Sequence, residues 1–512
     1  MPSPSLRKVS DERDSQEKAE KSQGDALVTI TSLEGGDGEW QFTAEEINNY
    51  EVDPEMNRRI LRKLDTRILV LIFFMYLFSA LDRGNLGNAV TDGMTKQLHF
   101  VGNQYNIMLT VFYIPFCIMT IPGALLTKRF GPHRMLPLYM MGWGAMAMLN
   151  AACKNYGGVV AVRMILGVFE GLFGPSLAVF LSLYYTRAEM GKRMAAWYSS
   201  SAISGAFSGL LSYGLFQIKS RLHGWQILFL LEGGLTLLTA FISTFVLPPH
   251  PTRCSFLTKE EKKAAVMRLL KDASHRVNAP WDWKEIMAPL KEWKFYVWMV
   301  YALCYGTASS TAGTFLPQIL GRFHYSTVKT NLYTVAPNIV SAVTLWITVL
   351  SSDFFRERSI HLMTANALTF AGCLGLACLP VSSDHAGYAM CFLISMGAFT
   401  PTCLFHTWHN NNDPNENGRA FRTGVMTFAA NAGGIVSSNI FLQSDAPKYT
   451  RALIVSAAME GCGICILICL RTYMWFDNRR RNRAQGVIWT TKDVPTAVLF
   501  EGPKNPSFRH FL

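Results

Sequence analysis

Residues 158–184, with the sequence GVVAVRMILGVFEGLFGPSLAVFLSLY, decide the fold class of this chain. About twenty apolar residues in a helix cross the roughly 30 Å hydrocarbon core of a bilayer, and this stretch is longer than that. It nevertheless contains Arg163 and Glu170, which lie about 20° apart in azimuth on one helical face. A charge there costs from about 3 to more than about 10 kcal/mol unless it faces a partner or water. We therefore interpret this face as the lining of a solute path, with a structural ion pair between helices as the alternative.

The composition indicates a helical membrane protein with many spans. Of the 512 residues, 50% are hydrophobic and 16% are charged, whereas soluble proteins carry about 25% charged residues. A net charge of +12 could suit a nucleic-acid binder. The Lys and Arg residues, however, lie mainly in loops and tails between apolar blocks, where they act as orientation signals. We therefore expect a lipid bilayer as a partner and no nucleic acid.

The apolar blocks predict an all-α membrane protein with twelve transmembrane helices in two six-helix bundles. The approximate bounds of the spans are 67–90, 104–126, 135–152, 158–184, 195–217, 225–247, 294–317, 331–351, 360–380, 385–408, 422–442 and 451–474. The corresponding regions are a disordered cytosolic tail at 1–64, bundles at 65–248 and 294–476, a cytosolic linker at 249–293 and a cytosolic tail at 477–512. Within the linker, the pattern from Leu257 predicts a short amphipathic helix that begins after Thr258 as its N-cap.

Basic residues predict the orientation of the spans. Five of them precede the first span and four follow the last: Arg58, Arg59, Arg62, Lys63 and Arg67, then Arg479, Arg480, Arg481 and Arg483. The positive-inside rule therefore predicts that both termini are cytosolic. The short charged loops at 125–134 and 353–358, after spans two and eight, suit a hinge or latch, with plain orientation signals as the alternative.

Several motifs recur in an order that is typical of one family. They are Leu81-Asp-Arg-Gly-Asn-Leu-Gly-Asn-Ala89, Lys128-Arg-Phe-Gly131, Arg163-x3-Gly-x2-Glu-Gly171, Gly224-Trp-x6-Glu-Gly233, Leu257-Thr-x-Glu-Glu-Lys262, Trp408-x2-Asn-Asn412, Asn431-Ala-Gly-Gly434 and Ser444-Asp-Ala-Pro-Lys-Tyr449. Together they resemble the anion:cation symporters of the major facilitator superfamily, and within it the fungal allantoate and nicotinate permeases. The resemblance covers residues 65–480 and implies the major facilitator fold and a proton-coupled carrier of small organic anions. Lys128 departs from the superfamily pattern, which usually has an Asp near this position, so an Asp-centred latch is not implied there.

Counting residues along two spans places four charged side chains at similar depths. Asp82 lies about fifteen residues, or roughly 22 Å, from the cytosolic edge near Arg67. Arg163 lies about 8 Å below the opposite edge, and Glu170 lies roughly 10 Å deeper, near the midplane. In a core about 30 Å thick, Asp82, Arg83, Arg163 and Glu170 can form one charged layer within the first bundle.

The charged layer suggests a division of roles. Arg83 or Arg163 is predicted to bind the substrate carboxylate, because a guanidinium stays charged and binds carboxylates through two hydrogen bonds. Asp82 and Glu170 are predicted to carry protons, because burial disfavours the ionised form of a carboxylic acid. Protonation of the acid would free the arginine for the substrate, and the resemblance implies the same roles at matching positions. For Arg163, a structural pair with Glu170 is the favoured alternative.

Other polar residues in the spans are weaker candidates. Asn431 resembles a family position that contacts substrate, with helix packing as an equal alternative. Tyr113 is a candidate for lining the path, with plain packing or anchoring at the membrane interface as the favoured alternative. Four further residues are interpreted as structural, and the histidine pair among them lacks an evident third metal ligand: Glu232, Glu460, His406 and His409. We expect neither a metal nor a cofactor.

The sequence as a whole predicts a secondary active transporter of the plasma membrane, acting as a monomer. It would move a small carboxylate, such as a vitamin or a nitrogen-source acid, together with protons by alternating access. A proton-antiport exporter of a drug, toxin or anionic metabolite is the alternative, although residues 202–213 of span five contain no proline and such exporters typically have a Gly-Pro motif there. A nutrient sensor would usually carry a longer signalling tail. An enzyme is not expected, because the sequence contains no nucleophile elbow, phosphate loop or zinc signature.

Overall fold

The computed structural model describes residues 27–30, 40–43, 46, 49–272, 283–323, 325–412, 416–490, 493–494 and 505–512. Twelve long helices or helix pairs match the predicted spans. They are Val70–Thr91 (α1), Gln104–Phe130 (α2), Pro132–Asn150 (α3), Tyr156–Ser182 (α4), Arg187–Leu215 (α5), Gly224–Val246 (α6), Trp293–Leu320 (α7), Val335–Phe355 (α8), Ser359–Cys378 (α9), Asp384–Ala398 with Thr400–Asn411 (α10), Glu416–Ile440 (α11) and Thr450–Gln485 (α12). Among the described residues, eight helices are long and apolar enough to cross a membrane by length and composition.

Shorter elements connect or precede the long helices. The α-helical ones are Pro54–Leu64, Met94–Gln97, Lys259–Asp272, Trp283–Ile286 and Thr327–Tyr333. Single turns of other helix types lie at Asp65–Leu69 (π), Pro251–Arg253, Ala288–Lys291, Gly321–Phe323 and Gln443–Asp445 (3-10). Two short strands, Leu27–Ile30 and Trp40–Thr43, pair antiparallel with Leu27 opposite Thr43.

The helix Pro54–Leu64 corrects the prediction of a tail that is disordered as far as residue 64. The Asp53 carboxylate accepts hydrogen bonds from two backbone N–H groups of the first turn, at 3.3 and 3.2 Å, and proline at the first helical position favours a helix start. Ile60 and Leu64 are buried one turn apart. The prediction missed this helix because its apolar face is too short to show a sustained period.

The chain divides into two compact units. The smaller unit comprises residues 1–68, 181–188 and 248–280. It contains the helix Lys259–Asp272, and Thr258 caps its N-terminus as predicted: the Glu261 N–H donates to the Thr258 hydroxyl at 3.3 Å, and the Thr258 N–H donates to the Glu261 carboxylate at 2.9 Å. The Glu261 carboxylate also binds Lys63 Nζ at 2.7 Å. This reciprocal capping box satisfies two backbone donors that the helix leaves unpaired.

The larger unit contains nearly every residue of the twelve long helices. It comprises residues 69–180, 189–247 and 281–512. Small residues allow some of these helices to approach each other closely. A Cβ atom at Gly167 or Gly171 of α4 would meet a backbone oxygen of α2, and one at Gly205 of α5 would lie 2.7 Å from the Asn338 side chain of α8. Glycine therefore sets the distance between helices both within the first bundle and between the bundles.

The two bundles also meet through hydrogen bonds between α2 and α11. The Asn106 side chain of α2 is buried and donates to the backbone oxygens of Ser438 and Phe441, at 2.5 and 2.8 Å. Ser438 lies in the last turn of α11 and Phe441 directly follows the helix, where helix carbonyl groups lack partners within the helix. Asn106 therefore caps a helix of the other bundle.

Helix α10 and helix α12 differ from the predicted spans. The predicted span 385–408 is two helices that meet at Phe399, because Pro401 lies in the first turn of the second one and cannot continue the first. Helix α12 continues to Gln485, where Gly486 ends it in a left-handed conformation with φ of 66°. The apolar pattern ends near residue 474 because the last turns are polar.

Residues 505–512 pack on the second bundle beside these polar turns. The Phe511 N–H donates to the Asn412 side-chain oxygen at 3.0 Å, and the Asn412 amide donates back to the Phe511 carbonyl at 3.0 Å. His510 is buried, and its Nε2 atom lies 3.2 Å from the Asp477 carboxylate. The end of the chain is therefore held by specific polar contacts.

Candidate functional site

The four charged residues predicted to share a layer lie together in the first bundle. Asp82 and Arg83 belong to α1, and Arg163 and Glu170 belong to α4. Asp82, Arg163 and Glu170 are each exposed by at most 2%, so none of them faces lipid. Asp82 lies within electrostatic range of the other three. The predicted grouping of these four residues is therefore present in the structure.

Arg83 and Glu170 form an ion pair between α1 and α4. Arg83 Nη1 donates to Glu170 Oε2 at 2.9 Å and to the Ser79 hydroxyl at 3.1 Å. The guanidinium also lies 5.4 Å from the centroid of the Phe116 ring, a cation–π distance. The Glu170 side chain is fully buried, whereas that of Arg83 is 19% exposed. Arg83 is therefore the more exposed member of the pair.

Arg163 has a different partner from the predicted one. Its Nη1 atom donates to the backbone carbonyl of Asp82 at 3.3 Å, and its guanidinium lies 5.2 Å from the centroid of the Phe229 ring on α6. The prediction that Arg163 pairs with Glu170 is wrong. Arg163 and Glu170 are seven residues apart, which separates them by about 10 Å along the helix. Arg83 from the neighbouring helix binds the Glu170 carboxylate instead.

The Asp82 carboxyl group is buried beside the Arg163 helix, α4. Neither of its oxygens has a partner among the residues that the structure describes. The Trp143 indole of α3 lies beside the carboxyl group, as a potential donor. A buried carboxylate in this state costs several kcal/mol of stability unless it is neutralised, so Asp82 is chemically suited to hold a proton.

Glu232 of α6 is a further acid in this layer, which the sequence analysis interpreted as structural. Its side chain is 1% exposed, and both carboxyl oxygens lack partners within the described ranges. It lies within electrostatic range of Asp82 and Arg163. The signal that could have found it is depth: Glu232 is eight residues into α6, or about 12 Å, close to the depth of Arg163 in α4.

Tyr113 lies where the two bundles meet, against the helix that carries Asn431. The Tyr113 hydroxyl of α2 is 3.3 Å from the Ser310 hydroxyl of α7, and the Tyr113 ring packs directly on Gly434 of α11. Asn431 is half-buried and lies one helical turn before Gly434. Tyr113 also lies within electrostatic range of Arg83. The structure therefore brings the predicted Tyr113 close to Arg83 and to the helix that carries Asn431.

The His406 and His409 rings contact each other, with 3.1 Å between their nitrogen atoms. In the described part of the chain, no group of three or more His, Cys, Asp or Glu side chains is placed to hold a metal ion. Glu460 is buried on α12 of the second bundle, away from the layer of charged residues in the first bundle. The layer in the first bundle itself holds an ion pair and buried carboxyl groups that can bind protons.

Comparison with known proteins identifies relatives along almost the whole chain. The family model described as Major Facilitator Superfamily matches residues 72–438. The MFS-type transporter efuF of Hormonema carpetanum is 46% identical over 87% of this chain and 91% of its own length. The major facilitator-type transporter hxnP of Emericella nidulans is 41% identical over 92% of this chain and 96% of its own length. The high-affinity nicotinic acid transporter of Saccharomyces cerevisiae is 28% identical over 89% of this chain and 85% of its own length.

A solved structure supports the same fold. A bacterial homologue of the human lysosomal transporter Spinster, in an inward-facing and occupied conformation, superimposes with a TM-score of 0.58 at 12% identity. The match covers 79% of this chain and 96% of that one. The matched family model, the apolar helices and the similarity to fungal transporters together show that the chain is a multi-pass membrane transporter and belongs to the Major Facilitator Superfamily.

Proposed function

We propose that this transporter moves a small organic anion together with protons, and that Arg83 and Glu170 couple the two. The observation that carries the proposal is the 2.9 Å ion pair between a partly exposed Arg83 and a fully buried Glu170. A guanidinium in a site of low polarity binds a carboxylate strongly. The Arg83 guanidinium already binds the Glu170 carboxylate, so the substrate carboxylate must compete with Glu170.

Charge neutrality explains why a proton accompanies the anion. When Glu170 is ionised, it balances the charge of Arg83. When the substrate carboxylate takes its place on Arg83, the site carries an excess negative charge unless Glu170 binds a proton. Because excess charge in a bilayer is costly, substrate and proton bind together. One proton per anionic charge at this pair is the expected stoichiometry.

Asp82 is the second proposed proton carrier, because its carboxyl group is buried and lacks partners among the described residues. Arg163 is a less direct candidate for substrate binding than Arg83. It is 2% exposed and donates to the α1 backbone, which suits an electrostatic role on Asp82. In this proposal Arg163 attracts the anion at a distance, and Arg83 contacts it.

Tyr113 and Asn431 are proposed to complete the substrate site from its other sides. Tyr113 packs on Gly434, one turn from Asn431 in the second bundle. A substrate held by Arg83 in the first bundle and by Asn431 in the second would bind differently as the bundles rock. That difference in affinity is what drives alternating access.

The proposed substrate class is a small carboxylate. A relative at 28% identity is a nicotinic acid transporter, which supports an acid of this size without naming it. The basic residues flanking the first and last spans support cytosolic termini. We further propose that the protein works as a monomer in the plasma membrane and imports its substrate.

Uptake of radiolabelled small carboxylates, including nicotinate, tests this proposal in cells that express the full chain. We expect saturable uptake that is faster at about pH 5 than at about pH 8, because protons drive it. Arg83→Lys should raise the half-saturating concentration, and Glu170→Gln should abolish accumulation against a gradient while retaining exchange of substrate. Outward movement driven by inward protons would identify an exporter instead. Transport that is the same at both pH values in sealed vesicles would contradict proton coupling.

A further inference from the structure

Asp82, Glu232 and Arg163 form a second charged group beside the proposed substrate pair. They come from α1, α6 and α4, and each is exposed by at most 2%. The Arg163 guanidinium donates to the Asp82 backbone and stacks on Phe229, which lies one turn before Glu232 on α6. Glu232 in turn lies within electrostatic range of Asp82 and Arg163. Three helices thus bring two carboxylic acids and one arginine together.

All four carboxyl oxygens of these two acids are buried and lack hydrogen-bond partners in the described ranges. Among the described residues, the other titratable groups that face these three are Arg83, Glu170, Tyr105 and Cys153. Arg83 and Glu170 balance each other as an ion pair. Two ionised acids against Arg163 alone would therefore leave an uncompensated negative charge among buried groups, which burial strongly disfavours.

We infer that Asp82 and Glu232 share one proton next to Arg163, and that Glu232 is a proton-binding residue of this transporter. One protonated carboxyl group, one carboxylate and one guanidinium sum to zero charge. When two carboxyl groups share one site, their mutual repulsion is commonly avoided because a single proton is bound between them. Release of this proton would leave the site negative, so it would follow only a rearrangement that opens the layer to water.

The inference rests on the proposed proton coupling, and it adds a residue to it. It makes a prediction that an independent, permanently neutral Glu232 would not make. If Asp82 is removed, Glu232 alone can balance Arg163, and it should lose its proton. If Glu232 is removed, Asp82 should lose its proton for the same reason. Either single change therefore removes the same protonated group.

Infrared difference spectra of the purified full chain in H2O and D2O test this, because only protonated carboxyl groups give a carbonyl band that shifts on deuteration. No substrate is needed. The variants are Asp82→Asn, Glu232→Gln, both together, and Glu460→Gln as the matched control. Glu460 is an equally buried acid of the second bundle. Glu232→Asp keeps the acid and should keep the band, so a result remains available if a neutral variant does not fold.

We expect Asp82→Asn and Glu232→Gln each to remove the band of one carboxyl group, and the double variant to remove no more. Glu460→Gln should leave that band in place. A band that survives Asp82→Asn and disappears only with Glu232→Gln would overturn the shared proton. The same uptake assay with Glu170→Gln decides the proposed function separately, since a shared proton could exist in a transporter whose substrate flux is independent of pH.

Discussion

The ion pair between Arg83 and Glu170 can be measured by a double-mutant cycle with Arg83→Gln and Glu170→Gln. Breaking a fully buried pair by removing one partner typically costs about 3–5 kcal/mol. The Arg83 side chain is 19% exposed and keeps its 3.1 Å hydrogen bond to Ser79, so we expect about 2 kcal/mol for Glu170→Gln. Arg83→Gln should cost about 3 kcal/mol, because it leaves a fully buried acid. The double variant should cost no more than the larger single change.

The assay is thermal unfolding of the purified full chain in one detergent, followed by tryptophan fluorescence. The expected coupling energy is about 2 kcal/mol. As a matched control, Glu460→Gln removes an acid that is equally buried but belongs to the other bundle, and it should not couple to Arg83→Gln. Additive losses in the Arg83 and Glu170 cycle would refute the reasoning, because they would show that the two charges do not stabilise each other.

Three further predictions concern parts of the chain outside the charged pair. Gly171→Val should cost about 2 kcal/mol or more and reduce the fraction of monodisperse protein, because a Cβ would meet the α2 backbone. At Gly174, no atom of the described residues outside its own stretch of helix lies within 4 Å of the Cβ position, so Gly174→Val should be tolerated, and equal losses would contradict this. Thr258→Ala should cost about 1 kcal/mol and speed hydrogen exchange in the first turn of its helix, whereas unchanged exchange would argue against the cap. Burial lowers the pKa of His510 and outweighs the opposing effect of the nearby Asp477 carboxylate. The segment 505–512 therefore binds more protons when it is released than when it is packed. Its packing should therefore weaken as the pH falls below about 6.5, seen as faster proteolysis of the segment, and a His510→Gln variant with the same pH dependence would contradict this.

Length and apolarity were sufficient to predict the helices that form the two bundles. A span needs about twenty apolar residues, and few other structures require that pattern. The rise of an α-helix is fixed, so depth could also be counted, and this is why Asp82 and Glu170 were correctly placed near each other. The two residues lie on different helices, yet each count starts from a membrane edge that the basic residues mark.

Contacts between helices could not be predicted in the same way. Which arginine meets Glu170 depends on how α1 and α4 are rotated about their axes, and a single sequence gives no information on this. The spacing within α4 favoured Arg163, whereas the structure pairs Glu170 with Arg83. Glu232 was overlooked because it stands alone in its span, and its importance depends on Asp82 and Arg163 lying opposite it.

The packing of residues 505–512 could not be predicted either. It depends on a contact between Phe511 and Asn412, two residues that are far apart in sequence. The division of α10 had a visible local signal in Pro401. Proline in the first turn of a helix marks a start rather than an interior. The sequence therefore predicted the elements and which charged residues lie together, but not the pairing of their side chains.

The central claim is that Glu170 must bind a proton for Arg83 to accept the carboxylate. The most direct measurement is proton movement in proteoliposomes that contain the purified transporter and a pH-sensitive dye, after addition of a transported carboxylate. Wild type should take up protons with the substrate, and Glu170→Gln should exchange labelled substrate without moving protons. Proton uptake by Glu170→Gln at the wild-type rate would contradict the account.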